Sequence, residues 1–304
     1  MDRKTIDALL DRFEKNGVVG EPNPRIQAIV RRLCGDLMQA IEDLNISSEE
    51  FWHGLNFVAE AGQRHELGLI APGLGLEHFL DLRLDEAEAK AGLQGGTPRT
   101  IEGPLYVAGA PVCHGEARLD DGKTAGELVV MHGVVHGRDG KPLANANVEV
   151  WHADSLGNYS FFDKSQSAFN LRRTIVTDDQ GRYRFRSIMP VGYSVPPGGS
   201  TEQLLQALGR HGTRPAHIHF FVSAPGHRKL TTQINIENDP HLWDDFAFGT
   251  REGLVPPVKT NSDAAAMAKL GASKPFYEIE FDFTLHAEHA QAPKADIQRQ
   301  RAAA

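Results

Sequence analysis

The feature that most constrains the fold is a change in the spacing of apolar residues at Gly95-Gly96-Thr97-Pro98. Before this point apolar residues recur every three or four positions, which is typical of one face of an α-helix. After it, glycine and proline separate short runs rich in Val, Ile, Phe and Tyr, which is typical of β-strands. We therefore predict an α+β chain, with a helical region at 1–98, an antiparallel β-sandwich with long loops at 99–289, and a polar tail at 290–304.

Three helical segments are predicted in the first region. One begins after Asn23 and Pro24, and a second follows Ser47 and Glu50, which have the spacing of a capping box. The third covers Leu76–Ala91. The apolar stripe of the first segment consists of Ile26, Ile29, Val30, Leu33, Leu37, Met38, Ile41 and Leu44.

Seven strands are predicted in the second region. They are Leu128–Val135, Ala146–His152, Arg173–Thr177, Tyr183–Ser187, Ala216–Ser223, Thr231–Ile236 and Tyr277–Leu285. Two segments depart from the strand pattern. Ser200–His211 has the apolar spacing of a short helix, and residues 237–270 form a long irregular excursion with one helix near Ala264–Leu270. Long irregular loops in compact domains are usually functional.

Charge and cysteine content exclude several classes of protein. The net charge of -8 and the pI of about 6.0 disfavour nucleic acid or an anionic membrane as a partner. Two cysteines, Cys34 and Cys113, give neither a disulfide framework nor a thiolate zinc site and favour a reducing compartment. The first ten residues lack the apolar core of a signal peptide, so we expect a cytoplasmic protein.

A histidine pair is the most informative motif in the chain. In Arg214-Pro215-Ala216-His217-Ile218-His219 the two histidines are two positions apart on a predicted strand, so they project to the same face. Two imidazoles at that spacing can bind one metal ion. A half-buried strand with two hydrogen-bonded histidines would show the same pattern.

Two tyrosines stand in glycine-containing turns at strand ends. Tyr159 follows Gly157-Asn158, and Tyr193 follows Gly192. Each alone could be a packed aromatic residue with a satisfied hydroxyl. Together with His217 and His219 they make a set of two phenolates and two imidazoles. Phenolate is a hard anionic donor that favours iron(III) over iron(II) or zinc, and a ferric ion would activate a chelating catechol rather than bind O2 itself.

The surrounding segments carry a specific resemblance. They are Val150-Trp151-His152-Ala153-Asp154, Gly157-Asn158-Tyr159-Ser160, Phe169-Asn170-Leu171-Arg172-Arg173, Pro190-Val191-Gly192-Tyr193, Arg214–His219, Leu230–Ile234 and Trp243–Ala247. The set resembles the intradiol ring-cleavage dioxygenases over roughly residues 1–285. The resemblance implies that residues 99–289 are the catalytic domain. It also implies cleavage of catechol with O2 to cis,cis-muconate, in the β-ketoadipate route of aromatic degradation.

The resemblance also assigns roles to individual residues. Tyr159, Tyr193, His217 and His219 match the ligands of one Fe(III) per subunit. Tyr193 matches the axial tyrosine that leaves the ion and accepts a substrate proton. Arg214 matches the charged group over the substrate ring. Gln233 matches a group that helps to orient the site. The substrate-contacting positions match Leu69, Pro72, Ile101, Gly103, Pro104, Leu105, Val195, Arg214, Phe246 and Ala247.

These pocket positions are almost wholly apolar, which suits an unsubstituted or alkyl-substituted ring. Val195 stands where relatives often have cysteine, and this departure bears on tolerance of ring substituents. An enzyme preferring chlorocatechol, methylcatechol or hydroxyquinol is the alternative interpretation. A transthyretin-like binding module without catalysis is a more distant alternative, because such a module would not need the tyrosines, histidines, Arg214 and Gln233 together.

The helical region resembles the dimerisation region of the same family. It implies a homodimer through the N-terminal helices and a structural phospholipid in a tunnel between them. Plain helix packing would explain the apolar stripe at 26–44 equally well. Nothing in the sequence predicts a nucleic-acid or membrane partner.

Overall fold

The computed structural model describes residues 1–289 and the short strand at 302–303. Most of the predicted tail at 290–304 lies outside the described residues. Contacts divide the chain into two compact units, Met1–Gln63 and Arg64–Ala304. This division, after residue 63, falls earlier in the chain than the predicted domain boundary after residue 98. The predicted boundary concerns functional domains and stays a prediction. None of the described helices is both long and apolar enough to cross a bilayer.

The first unit consists of three helices, α1 (Arg3–Phe13), α2 (Pro24–Asp43) and α3 (Ser48–Gln63). Asn23 caps α2 by accepting hydrogen bonds from the backbone of the first turn, and Pro24 occupies the first helical position. The predicted capping box precedes α3, where Ser47 and Glu50 bond reciprocally to each other's backbone N–H. The caps therefore set where both helices begin.

The second unit begins with α4 (Leu67–Gly73) and α5 (Leu76–Lys90) and continues into the strands. One sheet has five strands in the order β11-β10-β5-β6-β2. Their ranges are β2 (Val112–His114), β5 (Asn147–His152), β6 (Arg172–Val176), β10 (His217–Ser223) and β11 (Leu230–Asn235).

The other sheet has the order β12-β13-β4-β7-β3, with β14 also paired to β4. Its strands are β3 (Glu116–Arg118), β4 (Leu128–Gly137), β7 (Arg182–Ile188), β12 (Val258–Asn261), β13 (Phe276–Glu280) and β14 (Phe283–Leu285). Two strand pairs stand apart, β1 (Val107–Ala108) with β15 (Ala302–Ala303), and β8 (Tyr193–Ser194) with β9 (Thr213–Arg214). Two further helices, α6 (Ser200–Ala207) and α7 (Ala264–Leu270), lie in the connections.

The predicted α+β architecture is confirmed, with one correction of detail. The sheets are mixed rather than purely antiparallel, because β2 pairs in parallel with β6, β3 with β7, and both β13 and β14 with β4. Long connections separate these strands in the sequence, and such connections permit parallel pairing. The predicted strand Tyr277–Leu285 is also divided into β13 and β14.

The two sheets pack face to face around one apolar core. Val129 and Phe185 come from the six-stranded sheet, and Ile218, Phe220 and Val222 come from the five-stranded sheet. Side chains alternate along a strand, so His217 and His219 on β10 project away from this core. The strand thus contributes one face to the core and leaves the opposite face for a polar site.

Candidate metal centre and active site

The four predicted ligand side chains converge on one point. Tyr159 Oη lies 3.4 Å from both Tyr193 Oη and His217 Nε2. Tyr193 Oη is 3.5 Å from His217 Nε2, and the Nε2 atoms of His217 and His219 are 3.0 Å apart. Donor atoms that each bind one ion at about 2.0–2.1 Å are separated by about 2.9–3.4 Å, depending on the angle at the ion. The observed separations are of this size.

Different local structures bring the tyrosines to the histidines. Tyr159 follows a turn in which the Asp154 carboxylate accepts hydrogen bonds from the backbone of Leu156 and Asn158. Gly157 in this turn has φ +84°, and a Cβ there would fall 2.9 Å from Tyr193 Cβ. Only glycine adopts such a backbone without strain, so it permits the close approach of the two tyrosine-bearing segments. Tyr193 itself is paired with Arg214 in the β8–β9 ribbon.

Both histidines are uncharged in this environment, so each imidazole can offer a nitrogen lone pair to a metal ion. Burial, followed by the charge of Arg214, lowers the pKa of His217 to about 3. Burial and the neighbouring His217 also lower the pKa of His219 well below its usual value. His217 Nδ1 lies 2.7 Å from the Pro215 carbonyl and donates to it, which leaves the Nε2 lone pair directed at the centre. His219 is stacked on Trp151 with ring centroids 4.9 Å apart.

Tyr159 requires a cation to become a phenolate. Burial, with Tyr193 as the next cause, raises the pKa of its phenol well above the usual value. The guanidinium of Arg172 lies 5.8 Å from the centre of its ring and partly opposes that shift. A bound metal ion favours the deprotonated form of its ligands. The site therefore offers two neutral imidazole nitrogens and two hard oxygen donors to a metal ion. This donor set suits a ferric ion better than zinc or iron(II).

Arg214 forms a buried ion pair beside this centre. Its guanidinium lies 3.0 Å from the Asp245 carboxylate, with side-chain exposures of 5% and 2%. It also donates to Gln233 Oε1 at 2.8 Å, and its Nη1 is 3.1 Å from His217 Nε2. Burial alone would lower the pKa of Arg214, but the charge of Asp245 raises it overall. The positive charge is therefore permanent and fixed next to the ligand cluster.

The predicted pocket residues are brought together in part. Ile101, Val195, Phe246 and Ala247 share one buried apolar cluster with Leu205. Four other predicted positions lie around this cluster. A Cβ on Gly103 would be 3.7 Å from His219, and Leu105 packs against the cluster that contains Tyr159. Pro104 lies beside Gly68, and the buried Pro72 precedes Gly73, which lies beside Phe246. Leu69 lies half-buried on α4 without a described contact to this cluster.

The sequence-based prediction gave no role to Asp245, Trp151 and Leu205, which all belong to the site. Asp245 stood in a quoted motif, and the pair of acidic residues directly before an apolar run was its signal. Trp151 faces His219 through the pairing of β5 with β10. Leu205 closes the apolar cluster from α6. Their contributions depend on strand register and loop packing.

Comparison with known proteins is consistent with this geometry. A family model described as "Dioxygenase" matches residues 101–287, and one described as "Catechol dioxygenase N terminus" matches residues 23–92. The chain belongs to the intradiol ring-cleavage dioxygenases, whose members use a non-haem iron.

Within that family it is similar to catechol 1,2-dioxygenases. It is 67% identical to catechol 1,2-dioxygenase 2 of Acinetobacter lwoffii, over 85% of this chain and 94% of that protein. The crystal structure of the Acinetobacter radioresistens catechol 1,2-dioxygenase matches with a TM-score of 0.97 at 56% identity, covering 100% of this chain and 99% of that one.

Proposed function

We propose that this protein is an intradiol dioxygenase that cleaves catechol with O2 to cis,cis-muconate. The observation that carries the proposal is the convergence of two tyrosine hydroxyls and two imidazoles beside the buried Arg214–Asp245 pair. A hydroxyquinol 1,2-dioxygenase of Rhizobium is only 35% identical to the chain, so a substituted catechol is the less supported substrate.

We propose that Tyr159, Tyr193, His217 and His219 hold one Fe(III) per subunit. When bound, this ion would supply the positive charge that favours deprotonation of the two catechol hydroxyls. The phenolates support the ferric state because they are hard anionic donors. The neutral imidazoles support binding because their Nε2 lone pairs need no deprotonation.

The two tyrosines have different proposed roles. Tyr159 is 4% exposed and has Arg172 over its ring, which suits a permanent ligand. Tyr193 is only partly buried and lies on a two-residue strand, where less packing holds it. We assign it as the group that moves and accepts a proton from a catechol hydroxyl.

We infer that the fixed charge of Arg214 stabilises negative charge on the substrate ring during attack by O2. Gln233 accepts a hydrogen bond from Arg214 and bonds to Asn235, so it limits the rotation of the guanidinium. We assign Gln233 as a residue that positions Arg214. Cleavage then falls between the two oxygenated carbons of the ring.

The apolar cluster sets the proposed substrate preference. Ile101, Val195, Leu205, Phe246 and Ala247 are buried and offer no polar side chain to a ring substituent. A hydroxyl or carboxylate placed there would lose its hydration without a partner. We therefore expect catechol and small alkylcatechols to be used in preference to hydroxyquinol and protocatechuate.

We also propose a homodimer formed through the first unit. Ile26, Leu33 and Trp52 on α2 and α3 are 59%, 63% and 61% exposed, which is unusual for large apolar side chains. A cavity of about 300 Å³, lined by Leu10, Phe13 and neighbouring residues, could take part of a phospholipid acyl chain. Light scattering and mass spectrometry of organic extracts test the two statements separately. A cytoplasmic location is proposed from the two free cysteines.

Steady-state oxidation of catechol by the iron-loaded protein tests the main proposal. We expect a red protein, through tyrosinate-to-iron charge transfer, that consumes O2 and forms muconate. Catechol, 4-methylcatechol, 4-chlorocatechol, hydroxyquinol and protocatechuate are compared by kcat/KM. A colourless protein that remains inactive after iron is supplied would contradict the assignment, and a higher kcat/KM for hydroxyquinol would contradict the substrate preference.

A further inference from the structure

We propose that His211, His241 and Asp244 form a second metal site, for a divalent transition-metal ion of the zinc class. Their ligand atoms all lie within 4.8 Å of one another. His211 Nε2 is 3.2 Å from Asp244 Oδ2, and His241 Nδ1 is 3.0 Å from Asp244 Oδ1. Two imidazoles and a carboxylate are a common donor set for zinc, and three protein ligands leave a position for water.

None of these three residues is one of the four proposed ligands of the first site. They lie on the loop before β9 and on the excursion after β11, at the surface of the second unit. His211 and Asp244 are exposed and His241 is partly exposed, so an ion can reach them from solvent. The two imidazole rings have centroids 4.7 Å apart and are inclined by 44°. Both rings can therefore direct a nitrogen toward one point beside the carboxylate.

The backbone around this site is already fixed by hydrogen bonds. The Asp239 carboxylate accepts from the backbone N–H of Ala216 and of His241, at 2.9 Å each. One acidic residue therefore ties the turn carrying His241 and Asp244 to the start of β10. Support of this kind lowers the entropy cost of ordering ligands around an ion.

An ion can bind both imidazoles without removing a proton from either ring, because each neutral ring can carry its proton on its other nitrogen. Thr213 N–H donates to His211 Nδ1, so the proton of neutral His211 is on Nε2 and faces Asp244. When an ion binds Nε2, that proton moves to Nδ1. His241 likewise exchanges its Nδ1 proton for one on Nε2. The hydrogen bond of His241 to Asp244 and the 3.2 Å contact of His211 Nε2 with Asp244 Oδ2 are replaced by three bonds to the ion.

This exchange has a consequence for the first site. With a proton on His211 Nδ1, the Thr213 N–H loses its acceptor. Thr213 and Arg214 form β9, which pairs with Tyr193 and Ser194 in β8. Asp244 is also directly before Asp245, the partner of Arg214. Occupancy of the second site should therefore shift the ribbon that carries Arg214 and Tyr193 and slow turnover; this consequence rests on the proposed function.

Binding is measured by titrating Zn²⁺ into the iron-loaded enzyme in a calorimeter, with the charge-transfer absorbance showing that iron stays in place. Replacing His241 or Asp244 by Asn should weaken the binding by at least about 10–100-fold, since loss of a ligand costs no less than loss of an outer-shell partner. His53→Asn changes an exposed histidine of the first unit and should leave binding unchanged. Equal affinity in wild type, His241→Asn and Asp244→Asn would overturn the site.

Turnover of catechol with and without Zn²⁺ is the second readout. We expect Zn²⁺ to lower kcat in the wild type and in His53→Asn, but not in His241→Asn. Inhibition of equal size in His241→Asn would refute the link to β9, and so would Zn²⁺ binding at the three residues without inhibition. Calorimetry does not depend on catalysis, so failure of the proposed dioxygenase activity would be distinguishable from failure of the zinc site.

Discussion

Asp245 holds Arg214 with two parallel hydrogen bonds, from Nε at 3.2 Å and from Nη2 at 3.0 Å, and both side chains are almost fully buried. Asp245 is held in turn by the backbone N–H groups of Ala247 and Gly249. Removing one partner of a buried pair leaves an uncompensated charge, which is far more costly than losing a surface pair.

Replacing Asp245 by Asn should therefore lower both stability and turnover. We expect a loss of about 3–5 kcal/mol in the free energy of unfolding, because Arg214 would stay charged without its counter-ion. Urea denaturation and kcat for catechol measure the two effects. Asp244→Asn is the matched control, since it removes the adjacent exposed carboxylate and should change both quantities little in buffer without added Zn²⁺. Equal effects in the two variants would show that the buried pair has no special role.

Replacing Tyr159 by Phe should remove most of the bound iron and the red colour. The variant loses a single hydroxyl, and with it one hard anionic donor. Iron content and visible absorbance measure the result. Tyr183→Phe is the control, because Tyr183 is equally buried but donates its hydroxyl to the Phe281 carbonyl in the core. Loss of iron in Tyr183→Phe alone would contradict the ligand assignment.

Gly157→Ala should disturb the metal site through contact as well as strain. A left-handed backbone costs a residue with a Cβ about 1–2 kcal/mol, and here the Cβ would also press on Tyr193. Gly140→Ala isolates the strain, since Gly140 has φ +78° and open space around its Cβ position. We expect both variants to lose stability, but only Gly157→Ala to shift the charge-transfer band. A band that is unchanged in Gly157→Ala would refute the proposed coupling.

Asp81 should make the stability depend on pH. Burial, followed by the charge of Glu77, raises its pKa from 3.8 to about 7. Between those values the folded state binds more protons than the unfolded state, so raising the pH through this window lowers the free energy of unfolding. Asp81→Asn removes the titration. It should be more stable than wild type at pH 8, by up to about 4 kcal/mol.

The gain from Asp81→Asn should shrink steadily as the pH falls toward 4. Urea denaturation of both proteins at several pH values in this window measures it. Arg99 and Arg251 lower the pKa of Asp81 and Asp85 raises it, and the pKa of about 7 already includes the effect of all three charges. A difference that does not change with pH would show that Asp81 stays ionised in the folded protein.

Parts of the site were predictable because they depend on local geometry. The two-residue period of a strand placed His217 and His219 on one face, and the capping residues located the starts of α2 and α3. The position of Tyr159 and Tyr193 beside the histidines depends on loops, and it came from the family resemblance. Stacking of Trp151 on His219 depends on the register of β5 against β10, which no local pattern specifies.

The divided strand near the C-terminal end of the second unit was predicted wrongly for a physical reason. Apolar alternation continues through residues 277–285, but the Asp282 side chain accepts the Val134 N–H at 2.7 Å. A carboxylate thus takes the place of a backbone acceptor, and β13 and β14 pair with β4 on either side of it. Parallel edge strands β2 and β3 were missed because runs of three residues carry too little pattern.

The alternation of β10 makes iron binding a test of correct strand pairing. Ile218, Phe220 and Val222 face the apolar core, while His217 and His219 face the tyrosines. A slip of one residue would exchange these two sets, placing imidazoles among hydrocarbon and aliphatic groups at the metal. A misregistered chain could therefore neither close its core nor develop colour, and the return of redness during refolding should follow the formation of native register in the five-stranded sheet.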